Sequence, residues 1–313
     1  MDSLQILIKE ASHYSSKALE LYNSVGKVEY EHAINKFTIN VLVVRLGHKI
    51  NEDFLKNFPN IRYILSPTTG LDHIDVKHCK KKAIKVISLN DIKQDIKSVS
   101  STAELSLGLI ISLIRKIPQA SNSVQSDHKW DRDLFRTRQL SNMSIGIIGV
   151  GRIGRMVARY SNAIGMKVYG CDVVKDRKYF EANNIQEITL KNLLTSVDII
   201  SIHASATDEN THLLNEHNLG SIKKGSYIIN TARGHLVCEK TIIKLLDENV
   251  LCGYAADVID GERDQSYMKS IIFKNMNKYN ILLTPHIGGC TSDAMEATEL
   301  VLANEFLNIV KRK

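Results

Sequence analysis

The sequence predicts an α/β protein with doubly wound parallel sheets, arranged in two domains. Short apolar segments typical of strands alternate with helical patterns along most of the chain, which indicates a mostly parallel sheet. A glycine-rich turn near the middle joins one such strand to a helix. The length of 313 residues, about twice a common domain size, predicts the two domains.

The composition is that of an ordinary globular protein. Hydrophobic residues make up 43% of the chain and charged residues 24%. Asp2, Lys9 and Glu10 surround the first apolar patch, which argues against a signal peptide or a membrane span. The most apolar stretch, Leu105–Ile114, is too short to cross a bilayer. We therefore expect no membrane partner.

The cysteines and the net charge argue against two further classes of protein. The five cysteines have neither paired nor metal-type spacing, so we expect no metal and a cytoplasmic location. Cys171 and Cys252 lie in predicted strands and are expected in the core. The lysines behind the net charge of +7 are mostly scattered, without interleaved aromatic residues, which favours a solvated surface over nucleic-acid binding.

The first third of the chain is predicted to form one α/β unit. Its strands are expected at Leu4–Ile8, Val41–Arg45, Ile61–Leu65 and Ile84–Ser88, with helical patterns at 13–24, 51–57 and 73–82 between them. The loop 66–75 follows the third of these strands at its carboxyl end, where open α/β sheets bind ligands. Thr69 and Gly70 could offer backbone N–H groups to a small anion there, although an ordinary polar connection fits the loop equally well.

A long helix is predicted over residues 98–117, with Ser98, Ser100 or Ser101 as its N-cap and Pro118 at its end. This helix is a candidate connection between the domains. Strands are then expected near 145–149, 167–171, 197–203, 226–231, 252–257 and 280–284. Six strands of this kind make a complete doubly wound nucleotide-binding domain.

The glycine-rich turn has the pattern of a dinucleotide-binding turn. Gly149 permits a tight turn, Gly151 lets the backbone approach a pyrophosphate, and Gly154 allows close packing of helix and strand. A helical pattern follows (Met156, Val157, Tyr160 and Ile164), and the N-terminus of that helix offers free N–H groups and a partial positive charge to the phosphates. The next strand then ends on a carboxylate, as the motif requires.

That carboxylate, Asp172, lies 18 residues after Gly154 and is placed to accept hydrogen bonds from an adenosine ribose. A negative charge at this position would repel a 2′-phosphate, so the sequence favours NAD over NADP. Lys175 and Arg177 lie nearby and weaken that preference.

Polar residues also end the other predicted strands of the second domain. In chain order, these strand ends are marked by Asp172, His203, the segment Asn230–Arg233, Asp257 and His286. Because parallel strands share one carboxyl edge, we expect these side chains to converge on a ligand crevice. The guanidinium of Arg233 suits a substrate carboxylate and an adjacent carbonyl.

Hydride transfer with a nicotinamide cofactor requires a group that handles the accompanying proton. Histidine suits both directions because it titrates near neutral pH. His203, His235 and His286 are the candidates, and His286 is the best placed, between a proline and a glycine pair. A carboxylate against its other ring nitrogen would hold the tautomer, and either Glu262 or Asp257 could supply it.

Several motifs occur in the order and at the spacing of one known family. They are Thr102-Ala-Glu104, Trp130, the three glycines of the turn, Asn230-Thr-Ala-Arg-Gly234, Asp257-Val258, Glu262 and Pro285-His286. By these motifs the chain resembles the D-isomer-specific 2-hydroxyacid dehydrogenases nearly end to end. The resemblance implies an NAD-dependent oxidoreductase that interconverts a small D-2-hydroxy acid and its 2-keto acid.

The resemblance also implies roles for the matching residues. Arg233 would bind the substrate's carboxylate and carbonyl, and His286 would be the acid/base catalyst paired with Glu262. Asp257 would contact the nicotinamide amide. The residues expected to bind NAD are Gly149, Gly151, Arg152, Ile153, Gly154, Asp172, His203, Thr231, Ala232, Asp257 and Gly289, and those expected to bind the substrate are Arg45, Thr69 and Gly70.

The family's fold agrees with this segmentation. The resemblance implies a flavodoxin-like substrate domain, residues 1–98 plus 291–313, around an inserted Rossmann NAD-binding domain, residues 99–290. It also implies a homodimer formed through the nucleotide domains. We expect no regulatory domain after the final helix.

The subgroup most similar to this chain is that of the phosphoglycerate dehydrogenases and the hydroxypyruvate- or glyoxylate-reducing enzymes. The substrate would then be 3-phosphoglycerate or the glycerate/hydroxypyruvate pair. The chain departs from the family pattern at Arg263, at Arg138 and in the substrate loop, which reads Thr68-Thr69 before Gly70. The loop variant leaves the substrate's identity open.

Two alternatives to this enzyme fit the same residues. An NAD(H)-sensing binding protein of the corepressor type shares the family's motifs, and a dehydrogenase of a non-carboxylate donor such as formate or phosphite fits the same acid/base set. Arg233, Glu262 and His286 are all present, which favours catalysis.

Overall fold

The computed structural model describes residues 3–92, 96–262 and 266–312, and they form two compact α/β units. The first unit comprises Met1–Val99 and Cys290–Lys313, and the second comprises Ser100–Gly289. Each unit has one sheet, and all described strand pairs are parallel. The predicted α/β class with doubly wound parallel sheets is therefore confirmed.

The order of the strands identifies both sheets. The strands are β1 (Leu4–Ile8), β2 (Gly26–Tyr30), β3 (Val41–Val43), β4 (Tyr63–Ser66), β5 (Lys85–Ser88), β6 (Ser144–Ile148), β7 (Lys167–Cys171), β8 (Gln186–Glu187), β9 (Ile199–Ile202), β10 (Ser226–Asn230), β11 (Leu251–Ala256) and β12 (Ile281–Leu283). The first sheet has the order β2-β1-β3-β4-β5, which is flavodoxin-like. The second sheet has the order β12-β11-β10-β9-β6-β7-β8, which is that of the Rossmann fold.

Helices connect the parallel strands in both units. They are α1 (Ser16–Asn23), α2 (Glu52–Leu55), α3 (Val76–Lys81), α4 (Ser101–Ile114), α5 (Ile117–Gln125), α6 (Arg152–Ala163), α7 (Arg177–Ala182), α8 (Leu190–Ser196), α9 (Glu216–Leu219), α10 (Glu239–Asp247), α11 (Ile271–Asn275) and α12 (Ser292–Lys311). None of the helices in the described parts of the chain is long and apolar enough to span a membrane.

The C-terminal helix α12 belongs to the core of the first unit. Its residues Leu302, Ala303 and Phe306 are fully buried and pack with Ile6 and Ile8 of β1 in one hydrophobic cluster. Burial of a side chain such as Phe306 stabilises the folded state by about 1.5–3 kcal/mol. Packing therefore ties the end of the chain to the N-terminal sheet.

Strand β6 lies inside the second sheet, between β7 and β9. Ile145, Ile147 and Ile148 are all buried, as expected for a short β-branched run covered on both faces. Helix α4 covers one face of this sheet, and its Ile110 and Leu113 pack in the same cluster as Ile145 and Ile147. This packing positions the carboxyl edge of the sheet, where the strand-end residues lie.

Four features differ from the sequence-based expectation. The edge strands β2 and β8 were not predicted, because β2 is mostly polar and β8 has only two residues. The predicted helix 98–117 ends at Ile114, and Pro118 lies in the first turn of α5, where the fixed φ of proline is compatible with a helix. Cys252 is exposed on β11, so its expected place in the core was wrong, whereas Cys171 is half-buried.

Candidate active site

The carboxyl edge of the second sheet brings the predicted polar residues into one row. His203 donates its backbone N–H to Ile148, and Asp257 donates its N–H to Asn230. These bonds continue the hydrogen-bond ladder of the sheet one residue past the ends of β9 and β11. The residues that follow the strands therefore lie side by side along the carboxyl edge of the sheet. The row runs from Asp172, after β7, to His286, after β12.

His286 and Glu262 form a hydrogen-bonded pair. The Nδ1 atom of His286 lies 2.8 Å from Oε1 of Glu262. The two side chains are 24% and 22% exposed, so the pair is partly shielded from water but accessible. A carboxylate accepts the Nδ1 proton, which leaves Nε2 as the nitrogen that can exchange a proton with a ligand. Of the two carboxylates proposed as the ring's partner, the structure selects Glu262.

Asp257 holds the loop on which His286 stands. Its carboxylate is buried and accepts hydrogen bonds from Thr284 Oγ1 at 2.6 Å, Ile287 N at 2.8 Å and Gly288 N at 2.7 Å. Its carbonyl accepts the backbone N–H of His286 at 2.9 Å. Burial raises the pKa of this carboxyl group, while its three hydrogen-bond donors oppose that shift. The sequence did not predict this anchoring role.

Arg233 follows β10 in a turn that Asn230 stabilises. The buried Asn230 side chain accepts the N–H of Ala232 at 3.0 Å and donates to the carbonyl of Arg233 at 2.8 Å. The guanidinium of Arg233 donates from Nη1 to the Ala232 carbonyl at 2.6 Å. Asn230 is thus a site residue that the sequence analysis named only as part of a motif. Its position as the polar last residue of a buried strand is the sequence feature that indicates its role.

Gly234 brings the loop of Arg233 next to the segment that leads to Glu262. A Cβ atom at this position would lie 2.3 Å from the carbonyl carbon of Ile259 and 2.4 Å from the nitrogen of Asp260. Both neighbours are backbone atoms, so only glycine permits the approach. The absence of a side chain at one position therefore helps to hold Arg233 and Glu262 in the same site.

His203 is not suited to acid/base work at neutral pH. Its Nε2 lies 2.8 Å from Ser201 Oγ and its Nδ1 lies 3.4 Å from Thr231 Oγ1. Desolvation lowers its pKa to about 4, so the ring is neutral at pH 7. Thr231 is buried and also contacts Ser106 Oγ at 2.8 Å. His235 makes no side-chain hydrogen bond within the described ranges and lies in a single 3₁₀ turn, Gly234–Leu236.

The three glycines of the dinucleotide turn have different surroundings. Gly149 has a φ of +89°, and a Cβ there would lie 2.5 Å from the nitrogen of Ala204. A Cβ on Gly154 would lie 2.0 Å from the carbonyl oxygen of Gly149. A Cβ on Gly151, by contrast, would meet nothing within 4 Å. The outer two glycines are required by packing, and Gly151 leaves open space where helix α6 begins.

Asp172 stabilises the same turn. Its two oxygens accept the N–H groups of Val150 at 2.6 Å and Val174 at 2.8 Å. Lys175 forms an ion pair with Glu187 at 2.7 Å, so its charge is compensated within the protein. The open space at Gly151, the helix start and the nearby carboxylate fit a pyrophosphate flanked by a ribose without a 2′-phosphate.

The remaining predicted cofactor residues lie along this edge of the sheet. Arg152 and Ile153 are half-buried in the first turn of α6, and burial lowers the pKa of the Arg152 guanidinium. Ala232 is buried, whereas Gly289 is exposed, with open space where a Cβ would project. In the described portion of the second unit, as in that of the first, no group of three His, Cys, Asp or Glu residues is arranged to bind a metal.

The predicted substrate residues lie in the first unit. Thr69 is exposed and Gly70 half-buried in the loop after β4. Arg45 forms a two-point ion pair with the buried carboxylate of Glu299 on α12 and donates to the Ser12 carbonyl at 3.0 Å. These contacts give Arg45 a structural task within this unit, and its substrate role stays a prediction.

Two of the three departures from the family pattern, Arg138 and the variant substrate loop, lie in the described part of the chain and make hydrogen bonds there. Arg138 forms an ion pair with Asp198 at 2.8 Å, and Lys223 pairs with the same carboxylate at 2.9 Å. Arg138 therefore has a structural partner at the start of the second sheet. Arg263 lies outside the described residues. The variant substrate loop, with Thr68 before Thr69, forms its own hydrogen-bond network.

Two curated relatives are similar to the chain over most of its length. The hydroxypyruvate reductase of Thermotoga maritima is 30% identical over 267 residues, which cover 85% of this chain and 83% of the relative. The D-3-phosphoglycerate dehydrogenase of Methanocaldococcus jannaschii is 28% identical over 316 residues, which cover 98% of this chain but 58% of the relative. The chain thus spans little more than half of that longer protein.

Two of the solved structures with the same fold are D-lactate dehydrogenases. The enzyme from Aquifex aeolicus, solved with NAD and lactic acid, is 26% identical with a TM-score of 0.80, and the match covers 98% of this chain and 94% of that one. The apo enzyme from Escherichia coli has a TM-score of 0.83 at 20% identity, over 99% and 98% of the two chains, which shows the fold alone.

The family model of the D-isomer specific 2-hydroxyacid dehydrogenase NAD binding domain matches residues 107–288. This range is more than half of the 313-residue chain and lies inside the second unit. NAD is therefore the cofactor of that unit. The chain belongs to the D-isomer-specific 2-hydroxyacid dehydrogenase family.

Proposed function

We propose that the protein catalyses the NAD-dependent interconversion of a small D-2-hydroxy acid and its 2-keto acid. The observation that supports this most strongly is the His286–Glu262 pair, 2.8 Å apart, at the sheet edge that also contains the dinucleotide turn. A histidine with one ring nitrogen held by a carboxylate is suited to move a proton from its other nitrogen.

When bound, the nicotinamide would supply or accept the hydride at the substrate's second carbon. During reduction, Nε2 of His286 donates a proton to the carbonyl oxygen, and during oxidation it removes the hydroxyl proton. Glu262 holds the ring's tautomer and stabilises the imidazolium that forms. Proton transfer of this kind typically contributes about 10²- to 10⁴-fold to the rate.

We assign binding of the acid to Arg233 and to the loop that contains Thr69 and Gly70. The guanidinium of Arg233 can donate to a carboxylate and to the neighbouring carbonyl, which orients the carbonyl carbon for hydride transfer. The loop amides would donate to the carboxylate as well. Arg45, held by Glu299, would act on the substrate only through N–H groups that the ion pair leaves available.

We assign NAD binding to the turn and to the strand ends beside it. Gly149, Gly151, Arg152, Ile153 and Gly154 would contact the pyrophosphate, and Asp172 the adenosine ribose. His203, Thr231, Ala232, Asp257 and Gly289 would line the remainder of the cofactor. The carboxylate of Asp172 and the ion-paired Lys175 favour NAD over NADP.

The substrate we propose is 3-phosphoglycerate or the glycerate/hydroxypyruvate pair, because two relatives that are similar over most of this chain are named for those reactions. The alternatives are an NAD(H)-sensing protein and a dehydrogenase of a non-carboxylate donor. The complete His286–Glu262 pair favours an enzyme over a sensor, and the guanidinium of Arg233 favours a carboxylate substrate.

The deciding experiment is NADH oxidation by the purified protein against a panel of 2-keto acids, with NADPH in parallel. The panel contains 3-phosphohydroxypyruvate, hydroxypyruvate, glyoxylate, pyruvate and bulkier acids. Turnover with one clear preference would establish the enzyme and its substrate. Tight NADH binding without turnover of any acid would refute the proposal in favour of the sensing or non-carboxylate alternatives.

We further propose a homodimer located in the cytoplasm. The second unit exposes several large apolar side chains, including Trp130, which is 90% exposed, Leu134, Ile117 and Val124. Exposed apolar surface of this kind is typical of protein–protein contacts. Light scattering after gel filtration should give twice the chain mass of 35.2 kDa, and a monomer mass would refute the dimer.

A further inference from the structure

The loop that follows β4 is held by a line of side-chain hydrogen bonds. We call residues 66–73 the anion loop. Ser66 Oγ lies 3.1 Å from His73 Nε2 and 2.8 Å from Thr68 Oγ1, and Thr68 Oγ1 lies 2.8 Å from the carbonyl oxygen of Gly70. Ser66 and His73 are almost completely buried, so water does not compete for these bonds.

The donor and acceptor capacities of these groups determine which atom donates in each hydrogen bond. The carbonyl of Gly70 can only accept, so the single hydroxyl proton of Thr68 is donated to it. Thr68 must then accept from the hydroxyl of Ser66, and Ser66 must accept from Nε2–H of His73. One arrangement of protons satisfies all three bonds, and it assigns the proton of His73 to Nε2.

The same loop turns its carbonyl groups towards the protein. The carbonyl of Thr68 accepts from the backbone of Leu89 at 3.2 Å, that of Thr69 from the side chain of Asn90 at 2.5 Å, and that of Gly70 from Thr68. The N–H groups of Thr69 and Gly70 donate to no acceptor among the described residues. Successive backbone N–H groups of this kind form a concavity suited to an anion.

We propose that the Thr68 hydroxyl is a positioning group that presets the Thr69 and Gly70 N–H groups for the substrate's carboxylate. This inference rests on the proposed function, in which the loop binds the acid. Thr68 is also where the loop departs from the family pattern, so this chain has a hydroxyl available for the purpose. Without it, the Gly70 carbonyl loses its partner, and the segment 68–70 that presents the two N–H groups must be ordered when substrate binds.

The test compares Thr68→Val with Thr68→Ser. Valine keeps the shape and removes the hydroxyl, and serine restores it. We expect Thr68→Val to raise KM for the preferred 2-keto acid about tenfold, as the loss of one hydrogen bond would, with kcat and NADH affinity changed less than about twofold. Thr68→Ser should recover most of the wild-type KM, which a purely structural role of the threonine's shape would not predict.

Thr38→Val is the matched control. Thr38 is an exposed threonine in the same unit whose hydroxyl donates to the Asn35 carbonyl at 2.8 Å, the same kind of bond as in Thr68. Its loss should leave KM unchanged. If Thr68→Val does not fold, as judged by circular dichroism, Thr68→Ala replaces it. An unchanged KM in the folded variant would overturn the inference while leaving the proposed function in place.

A binding measurement separates this inference from the proposed function. The amide resonances of Thr69 and Gly70 in ¹⁵N-labelled protein are followed while oxalate is added. Shifts in the wild type that weaken in Thr68→Val support the positioning role, even if no 2-keto acid is turned over and the proposed function has failed. Absence of any oxalate-dependent shift at these two amides in the wild type would overturn the inference.

Discussion

The two nitrogens of the His286 ring have different surroundings, and this difference gives the residue its chemistry. Nδ1 is 2.8 Å from Glu262, whereas Nε2 makes no bond within the described residues and remains available. His203 is the opposite case, because Ser201 and Thr231 contact both of its nitrogens and desolvation lowers its pKa to about 4. Two histidines at the same sheet edge thus have different capacities for proton transfer.

Replacement of His286 by alanine should abolish turnover while NADH binding is retained. The loss in kcat should be about 10²- to 10⁴-fold, the usual contribution of a positioned acid/base group. Steady-state NADH oxidation and NADH fluorescence titration measure the two quantities. His217→Ala, which removes an exposed histidine from α9 of the same unit, is the control and should change neither. Turnover retained by His286→Ala would exclude its catalytic role.

At the scale of elements, the loops after the strands are held by specific side chains rather than by their own conformation. The loop after β12 depends on the Asp257 carboxylate, which accepts hydrogen bonds from Thr284 Oγ1 and from the backbone N–H groups of Ile287 and Gly288. The turn after β6 depends on the close approach of Gly149 and Gly154. Each loop is therefore sensitive to a change in a residue that itself moves no proton or hydride.

Asp257→Asn should lower both stability and kcat. An amide of the same shape has one acceptor oxygen in place of two, so at least one of the three donors is left without a partner, at a cost of about 1–3 kcal/mol. The resulting shift of the His286 loop should reduce kcat about 10²-fold. Urea unfolding and NADH oxidation measure both effects. Asp247→Asn, at an exposed ion pair, should alter neither, and a fully active Asp257→Asn enzyme would contradict the anchoring role.

Alanine at Gly151 and at Gly154 should have different effects, although the two residues belong to one turn. At Gly154 the new Cβ would meet a backbone oxygen at 2.0 Å, so we expect a loss of about 2 kcal/mol or more in unfolding free energy. At Gly151 the Cβ enters open space, so the protein should fold normally but bind NADH about tenfold more weakly, or ~1.4 kcal/mol. Equal NADH affinity in Gly151→Ala and wild type would argue against a pyrophosphate at this position.

At the scale of the whole molecule, buried titratable groups make stability depend on pH. Burial alone would raise the pKa of Asp198, but Ser144, Lys223 and Arg138 hold that pKa well below its usual range. Asp198 therefore stabilises the fold above the ordinary aspartate pKa, and this contribution is lost in stronger acid. His203 affects stability at higher pH than Asp198 does, between about pH 6.5 and pH 4. Its pKa in the folded protein lies below its pKa in the unfolded chain.

The unfolding free energy of the His203→Asn variant should fall less than that of the wild type between pH 6.5 and pH 4. As pH falls through 6.5 the unfolded chain binds a proton at this histidine, while the folded protein resists protonation until about pH 4. The wild type should therefore lose about 3 kcal/mol more than His203→Asn across this range and little further below it. Urea unfolding at pH 7, 5.5 and 4 tests this; parallel curves for the two proteins would show that His203 is not desolvated.

Much of the fold was predictable, and each missed part has its own physical cause. The central strands are apolar because they are buried on both faces, so their sequences identified them. β2 and β8 are edge strands, so each pairs with a neighbouring strand on one side only. β2 is mostly polar and β8 has only two residues, so neither has a recognisable strand pattern in the sequence. The sequence predicts the end of a helix at Pro118, yet the first turn of a new helix tolerates proline equally well. The exposed Cys252 shows that membership of a strand does not decide which face a residue occupies.

The α/β class, the dinucleotide turn and the set of polar residues at the strand ends can be read from the sequence. These features follow from short-range periodicity, from glycine spacing and from the rule that parallel strands share one carboxyl edge. The tertiary structure alone decided which partners these residues take. Asp257 anchors the loop that contains His286, Arg45 pairs with Glu299 254 residues away, and the Thr68 hydroxyl connects Ser66 to the Gly70 carbonyl. Hydrogen-bond partners and burial depend on distances between residues that are remote in sequence, and only folding sets those distances.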